Sequence, residues 1–337
     1  AGNLGFLGVG VPEEYGGLGM PLTSSVLVCD YFSGSSGSTS TAFGAHTGIG
    51  TMPILLYGNE EQKKKYIPKL ATGEHIGAYC LTEPSAGSDA NNGKTKAELS
   101  DDGKFYFITG QKMWISNAPF ADVAVVWAKN EEGRIKGLLV EKGMEGFEAP
   151  VMHGKHSLRA STTGELIFTN VKVPKENLLP GKDGLGAPLM CLDSARYGIA
   201  WGAIGAAMDC YDSALRYSKE RIQFDKPIAS FQLIQKKLAE MITEITKAQL
   251  LTLRLGELRN ENRASTAQIS MAKRNNVEMA LKIAREARQI HGGMGITNEY
   301  SIMRHMANLE SVVTYEGTHD IHLLITGHDI TGIPAFS

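Results

Sequence analysis

The sequence predicts an α+β protein of three domains, helical, then β, then helical. Three observations predict it: the length, two changes of residue pattern, and the apolar stripes of the last third. With 337 residues, 42% hydrophobic and 21% charged, the chain can bury more than one core, because folding units hold about 100 to 200 residues each. From residue 1 to about 76, apolar stretches such as TSSVLVCDYF and MPILLYG alternate with breaks rich in glycine and serine, a pattern of short helices and turns. From about 77 to 182 the pattern becomes GKFYFITG, DVAVVWAK, IKGLLVEKG and GELIFTNVKVP. Such runs of aromatic and β-branched residues, separated by Gly, Asn and Asp, describe a compact β domain. From 183 to 337 helical periodicity dominates. Ile234, Leu238, Met241, Ile245 and Ala248 mark one apolar stripe, and Ala272, Met279, Ile283, Ala287 and Ile290 mark a second. The second stops at Gly292 and Gly293, since glycine takes the left-handed conformation that ends helices. Two long antiparallel helices with charged outer faces make half of a bundle. The one low-complexity patch, GSSGSTST at 34–41, reads by itself as a loop.

Composition excludes several functions. A formal net charge of -2, with no long basic tract, gives no general attraction to nucleic acid or anionic membranes. The run Lys63 to Lys65 sits in EEQKKKYIPKL and reads as a solvated helix face. Cys29, Cys80, Cys191 and Cys210 lie far apart, without CxxC or mixed Cys/His spacing, so neither a metal site nor a disulfide framework is signalled. A reducing compartment fits: a bacterial cytoplasm, or a mitochondrial matrix if the source is eukaryotic. No apolar run reaches the ~18 residues of a membrane span, and the start AGNLGFLGVGVPEEYGG lacks the layout of a secretion signal. The expectation is a soluble protein.

Three stretches could carry chemistry. YCLTEPSAGSD, Tyr79 to Asp89, offers hydroxyls and two glycines whose backbone N–H groups a flat polar or anionic ligand can approach; an ordinary turn is the plain reading. In KMWISN, Lys112 to Asn117, Trp114 and Ser116 should project from the same side of a strand, although a tryptophan in a β domain is usually core. TYEGTHDIH, Thr314 to His322, sets Glu316 between a phenol and a glycine. Neither GxxxxGKS nor GxGxxG occurs, and HGGMG, His291 to Gly295, follows a helix, so a nucleotide cofactor would need another mode of binding.

TEPSAGSD, KMWISN, RIQFDKPIASFQLIQKKLAEM, QIHGGMGI and YEGTHDIH, in that order, resemble the acyl-CoA dehydrogenase family over essentially the whole chain. The half from CLDSARYGIAWG through TYEGTHDIH to ITGIPAF is most similar to the glutaryl-CoA dehydrogenase branch. The resemblance implies that family's fold: an N-terminal α-helical domain at 1–76, here shortened by its opening helices, a β-barrel-like middle domain at 77–182, and a C-terminal four-helix bundle at 183–337. It implies FAD, an acyl-CoA substrate, electron-transfer flavoprotein as acceptor, and a homotetramer built as a dimer of dimers. Glu316 would remove the pro-R α-proton as the β-hydrogen leaves as hydride to the flavin. The incipient enolate oxygen would be stabilised by the Glu316 backbone N–H and a flavin hydroxyl. Burial beside the thioester and Tyr315 should raise the acid constant of Glu316, and Gly317 would let the thioester lie close to the main chain.

By the same resemblance Tyr79, Cys80, Leu81, Thr82, Gly87 and Ser88, with Trp114, Ile115 and Ser116, line the flavin; Ser116 stands where many relatives carry threonine. Thr318, His319 and Asp320 would touch it too. Arg221, Phe224, Gln232, Gln289, Ile290, His291, Gly292 and Gly293 would hold the diphosphate and adenine end of a neighbouring subunit's FAD. Ser40, Thr41, Ser88, Asp193, Arg196, Tyr315, Gly317 and Phe336 match substrate positions.

The chain departs from the glutaryl-CoA branch in one place. The arginine that pairs with a distal carboxylate there aligns with Ser40, and its acidic partner with Ser33. No Lys or Arg precedes Lys63, which leaves His46 as the one candidate cation; a distal carboxylate buried there would lack a partner. FGAHTGIG, Phe43 to Gly50, instead is similar to long-chain and very-long-chain relatives, its three glycines leaving room for an acyl tunnel. The expected substrate is a saturated, uncharged acyl chain of medium or greater length, desaturated to the trans-2-enoyl-CoA. Glutaryl-CoA oxidation with decarboxylation to crotonyl-CoA is the alternative, and a silent scaffold that binds flavin or acyl-CoA is a third.

Overall fold

A computed structural model of the chain describes residues 1–335, which fall into two compact units. Residues 1–25, 41–155 and 159–195 form the first, and residues 26–40, 156–158 and 196 onward form the second. Helices α1 (Leu22–Ser35) and α2 (Gly37–Gly44) meet at Ser36 and run into a π-helical turn over Ala45–Gly50. The GSSGSTST patch is therefore mostly helical and not a loop. Burial of Ser38 within the patch, and of Ser33 just before it, shows the reason: packing overrides weak local preference.

In the first unit, α3 (Met52–Tyr57) and α4 (Glu60–Thr72) precede a sheet made of β1 (Gly77–Cys80), β2 (Lys96–Leu99), β3 (Phe105–Ser116), β4 (Val123–Lys129), β5 (Ile135–Glu141), β6 (Phe147–Glu148) and β7 (Thr163–Pro174). Asn59 and Gln62 cap α4 reciprocally, at 2.8 and 3.0 Å, satisfying two donors that the first turn leaves unpaired. β4 pairs in parallel with β1 and antiparallel with β5, while β2, which pairs with β3, returns to the end of β4 at Lys96 opposite Lys129. The sheet thus curls on itself. Side chains alternate along β4 as the strand period requires: Val123, Val125 and Trp127 pack with Ile54, Ile67 and Leu70 of the helices, and Ala124, Val126 and Ala128 with Ile108, Leu166 and Phe168. Both faces are covered, which explains why DVAVVWAK reads as one apolar run.

The second unit is helical. The long α5 (Gly186–Glu220), which belongs to this unit from residue 196 onward, is followed by the short hairpin β8 (Ile222–Gln223) and β9 (Lys226–Pro227), then α6 (Gln232–Asn260), α7 (Thr266–Ile290), α8 (Ile302–Thr314) and α9 (His319–Thr331). The predicted stripes do the packing: Leu238, Met241, Ile245 and Ala248 of α6 meet Met279, Ile283 and Ala287 of α7 and Ile204, Ala207 and Cys210 of α5. α7 ends at Ile290, with Gly292 at φ +56°. α1 lies directly on α5, because a Cβ at Gly205 would stand 2.0 Å from the Asp30 carbonyl oxygen. Among the described residues no helix is long and apolar enough to cross a membrane.

Candidate active site

The loop between α8 and α9 is short. Tyr315 closes α8, its N–H donating to the Ser311 carbonyl, and the Thr318 hydroxyl accepts from the Ile321 N–H to start α9. Glu316 and Gly317 between them both sit at positive φ, +49° and +93°. That is unusual for glutamate and costs about 1–3 kcal/mol, so the surroundings must hold it. They do. Arg196 Nε donates to the Glu316 carbonyl at 2.9 Å, and Lys273 Nζ donates to the carbonyls of Tyr315 and Gly317 at 3.0 and 2.9 Å. Both cations are buried. Arg196 is thus not the surface arginine that its residue type suggests.

The Glu316 Oε2 atom is sealed from solvent and accepts no hydrogen bond from the described residues. Burial pushes the carboxyl up to about 7, with the Arg196 and Lys273 charges pulling the other way. The expected rise is present, and its cause within the protein is desolvation. Burial lowers the Lys273 ammonium to about 7. It also holds His322 down to about 3, helped by Lys273 and Arg196, so that ring is neutral. A Cβ on Gly317 would stand 2.9 Å from the His322 ring; the space which that glycine leaves belongs to the imidazole.

Beside this loop, burial raises the Cys29 thiol to about 12, with the Asp30 and Glu316 charges adding to the effect. The Cys29 carbonyl accepts a hydrogen bond from the Ser40 hydroxyl at 3.4 Å, and Ser33 donates to Ser40 at 2.7 Å.

In the first unit, His46 Nδ1 accepts from the Gly77 N–H at 3.0 Å, and Nε2 bonds the Leu70 carbonyl at 2.9 Å. Both nitrogens are engaged, which fixes a neutral tautomer, and burial lowers the group further. His46 is therefore a structural clamp and not the cation that the sequence offered. Of the three glycines in FGAHTGIG, Gly44 and Gly48 face open space, whereas Gly50 packs against the Gly77 backbone.

The TEPSAGSD and KMWISN stretches lie together. The Met113 N–H donates to the Thr82 carbonyl at 2.9 Å. Beneath them Lys112 Nζ meets Glu83 Oε1 at 2.8 Å, both side chains buried, and Glu83 also accepts from the N–H groups of Lys94 and Thr95. Trp114 departs from the plain core reading: it is 57% exposed, at φ +63° in an irregularity of β3 that breaks the simple alternation. Ser116 is half-buried, and Gly87 and Ser88 are exposed, with nothing filling the space where a Gly87 Cβ would stand. The side chains of Tyr79, Cys80 and Ile115 point into the cores, and Tyr79 donates to the Pro188 carbonyl. Leu81, Thr82, Thr41 and Asp193 are half-buried.

Arg221 and Gln232 flank the β8–β9 hairpin and are exposed, and Phe224 at its turn is 87% exposed at φ +52°. At the end of α7, Gln289, Gly292 and Gly293 are exposed, whereas Ile290 and His291 are buried. His291 bonds the Ala287 carbonyl and Ser213, and stacks on Tyr217; its side chain serves the core, and its backbone N–H and carbonyl pair with the Ala287 carbonyl and the Met294 N–H. Thr318, His319 and Asp320 open α9. Phe336 lies outside the described residues. Lys273, Glu83 and Lys112 escaped the sequence reading, although Lys273 is four residues from both Ile269 and Val277 and so stands on the apolar face of its own helix.

Comparison with known proteins decides the family. Models of the acyl-CoA dehydrogenase N-terminal, middle and C-terminal domains match residues 1–74, 78–171 and 182–331. An acyl-CoA dehydrogenase of Bacillus subtilis is 40% identical over 98% of this chain and 88% of its own length. The chain belongs to the acyl-CoA dehydrogenase family. A probable acyl-CoA dehydrogenase of the same bacterium is also 40% identical, over 96% of this chain, which spans 58% of that longer relative. A glutaryl-CoA dehydrogenase of Mycobacterium smegmatis, solved in complex with FADH2, superposes with a TM-score of 0.97 at 44% identity, covering 100% of this chain and 86% of that one. The three-domain acyl-CoA dehydrogenase fold, helical, curled sheet, helical, is that of this chain.

Proposed function

We propose that the protein is an FAD-dependent acyl-CoA dehydrogenase that converts a saturated, uncharged acyl-CoA to the trans-2-enoyl-CoA. One observation carries the base assignment: Glu316 holds a carboxyl whose Oε2 is sealed and unpartnered, raised to about 7, in a loop whose carbonyls are gripped by Arg196 and Lys273. A base poised near working pH transfers protons most effectively. Glu316 Oε takes the α-proton while its own N–H faces the developing charge on the thioester oxygen.

The residues present fit a flavin. The exposed indole of Trp114 beside half-buried Ser116, and the open backbone at Gly87 and Ser88, offer a flat apolar surface with donors. Exposed Arg221 and Gln232, with the glycines after α7, suit a diphosphate and adenine. Bound FAD supplies the hydride acceptor. Leu233, Leu250 and Leu253 of α6 are exposed, which favours a homo-oligomer, read as a tetramer, and electrons are assigned to electron-transfer flavoprotein by family resemblance.

The substrate reading rests on Ser33 and Ser40. The positions that align with an acid and an arginine in the glutaryl-CoA branch hold two hydroxyls bonded to each other, and His46 is neutral. A distal carboxylate finds no cation in this segment, and its desolvation would go uncompensated. Glutaryl-CoA remains the second reading because of the 44% identity to the Mycobacterium smegmatis enzyme. Anaerobic addition of octanoyl-, palmitoyl- and glutaryl-CoA to FAD-loaded protein separates the readings. Bleaching by the uncharged thioesters is expected; preferential bleaching by glutaryl-CoA with CO2 release supports the alternative, and bound flavin that stays oxidised with all three supports a silent scaffold.

A further inference from the structure

Lys273 is wholly buried on α7, and its Nζ donates to the carbonyls of Val312 at 2.8 Å, Tyr315 at 3.0 Å and Gly317 at 2.9 Å. An ammonium has three N–H donors and no acceptor, so the set is filled. Val312 belongs to the last turn of α8, where carbonyls lack helical partners and a cation is favoured. The other two carbonyls flank Glu316, and Arg196 holds the Glu316 carbonyl itself. In a trans peptide the N–H points opposite to its carbonyl. Turning the Tyr315 carbonyl onto Lys273 therefore turns the Glu316 N–H away from it, and turning the Glu316 carbonyl onto Arg196 does the same for Gly317. Lys273 stands in the middle of the α7 apolar face, where Ala272, Asn276 and Val277 are its buried neighbours.

We infer that Lys273 is a positioning residue for the reaction: by gathering the carbonyls on either side of Glu316, it sets that residue's carboxylate and N–H where the thioester's α-carbon and carbonyl oxygen meet them. The inference rests on the reading of Glu316 as the base. A purely structural stitch would stabilise the helices without affecting the rate once the protein is folded. Positioning, by contrast, acts on kcat, since misplacement of a reacting group by about 1 Å costs about 10²-fold.

The test compares FAD-loaded wild type with K273M, K273R and E316Q. Three quantities are read: kcat and KM for octanoyl-CoA; exchange of the α-protons of a β-thia acyl-CoA, which has no β-hydrogen to give up, with deuterated water; and amide exchange of residues 312–317 without substrate. K273M is expected to lose about 10²-fold in kcat and in α-proton exchange, with KM within about threefold and faster amide exchange. K273R keeps the charge, but its planar fork does not converge on three carbonyls as a compact ammonium does; it should lose at least about tenfold in kcat. Wild-type kcat in FAD-loaded K273M, or in K273R, overturns the inference, as does a loss confined to KM. Should K273M fail to load FAD, K273R decides, and failure of both to load counts for a structural stitch and against positioning. E316Q distinguishes the two levels. If E316Q exchanges α-protons at the wild-type rate, the base assignment itself falls; if it is inert while both Lys273 variants match wild type, the Lys273 inference alone falls.

Discussion

The Ser33 hydroxyl donates to the Ser40 hydroxyl at 2.7 Å, and Ser40 donates in turn to the carbonyl of Cys29, whose thiol senses the charge on Glu316. The Ser33–Ser40 pair is thus neutral, at positions where the glutaryl-CoA branch would need a cation and its acid. Ser40→Arg alone puts a guanidinium beside buried Ser33 and is expected to cost several kcal/mol, about 3–5, because the charge lacks a partner. Adding Ser33→Glu should recover a large part of that loss and give measurable flavin bleaching by glutaryl-CoA. Thermal midpoints and anaerobic titrations check both points. A double variant no more stable than Ser40→Arg would show that the two positions do not act as a pair.

Glu316 sets a pH dependence. Its carboxyl is raised from 4.5 to about 7, and the proposed base acts as the carboxylate, so kcat/KM should fall about tenfold per unit as pH drops below about 7. Glu316→Gln should retain bound FAD and lose about 10²–10⁴-fold in flavin reduction. Stability runs in the opposite direction. The folded chain holds this proton up to about 7 and the unfolded chain releases it near 4.5, so the stabilisation is complete below about 4.5 and is lost as pH rises through about 7. Glu316→Gln removes that slope, which thermal midpoints at pH 5 and pH 8 would reveal. Parallel pH curves for the two proteins would place the carboxyl in water.

His46 gives the reverse slope. Its burial, and the Gly77 N–H that it accepts, disfavour the imidazolium, so its constant lies below the ordinary 6.5. Below about 6.5 the unfolded chain binds a proton that the folded chain refuses, and stability is lost as pH falls. His46→Leu abolishes this contribution but leaves the Gly77 N–H and the Leu70 carbonyl without their partner, at a cost of about 1–3 kcal/mol for each unsatisfied group. The variant should melt lower at pH 7.5 and approach wild type at pH 5. A constant gap across that range would mean that the ring is not the source of the acid sensitivity.

What could be read from the sequence depended on the range of the interaction. The α6 and α7 stripes, the strands around DVAVVWAK and the stop at Gly292 follow from neighbours along the chain, and each is where periodicity put it. Arg196 and Lys273 were not legible in the same way. Their partners lie 120 residues and about forty residues away in sequence, and no spacing rule links a lysine on one helix to carbonyls at the end of another. Trp114 misled for a related reason: strand alternation presumes regular register, and the irregularity between Lys112 and Ile115 turns the indole outward. GSSGSTST failed as a loop because tertiary burial of Ser38, and of Ser33 just before the patch, outweighs local propensity.

Glu83 and Lys112 tie the two stretches of the first unit that the flavin reading uses. Their ion pair of 2.8 Å is buried on both sides. Burial alone would raise the Glu83 carboxyl, yet Lys112 and the N–H groups of Lys94 and Thr95 hold it below its ordinary value. Removing one partner strands the other charge: Lys112→Met or Glu83→Gln should each cost about 3–5 kcal/mol, while the double variant Glu83→Gln, Lys112→Met should cost less than the sum. The Met113 to Thr82 backbone bond lies in the same region, so the single variants should also release FAD more readily than the double variant. Thermal midpoints and the FAD retained after gel filtration measure these effects. Additive single losses, or full FAD retention in destabilised single variants, would separate this pair from the cofactor segments, because a buried charge pair that positions both stretches must couple its two members and transmit their loss to the flavin.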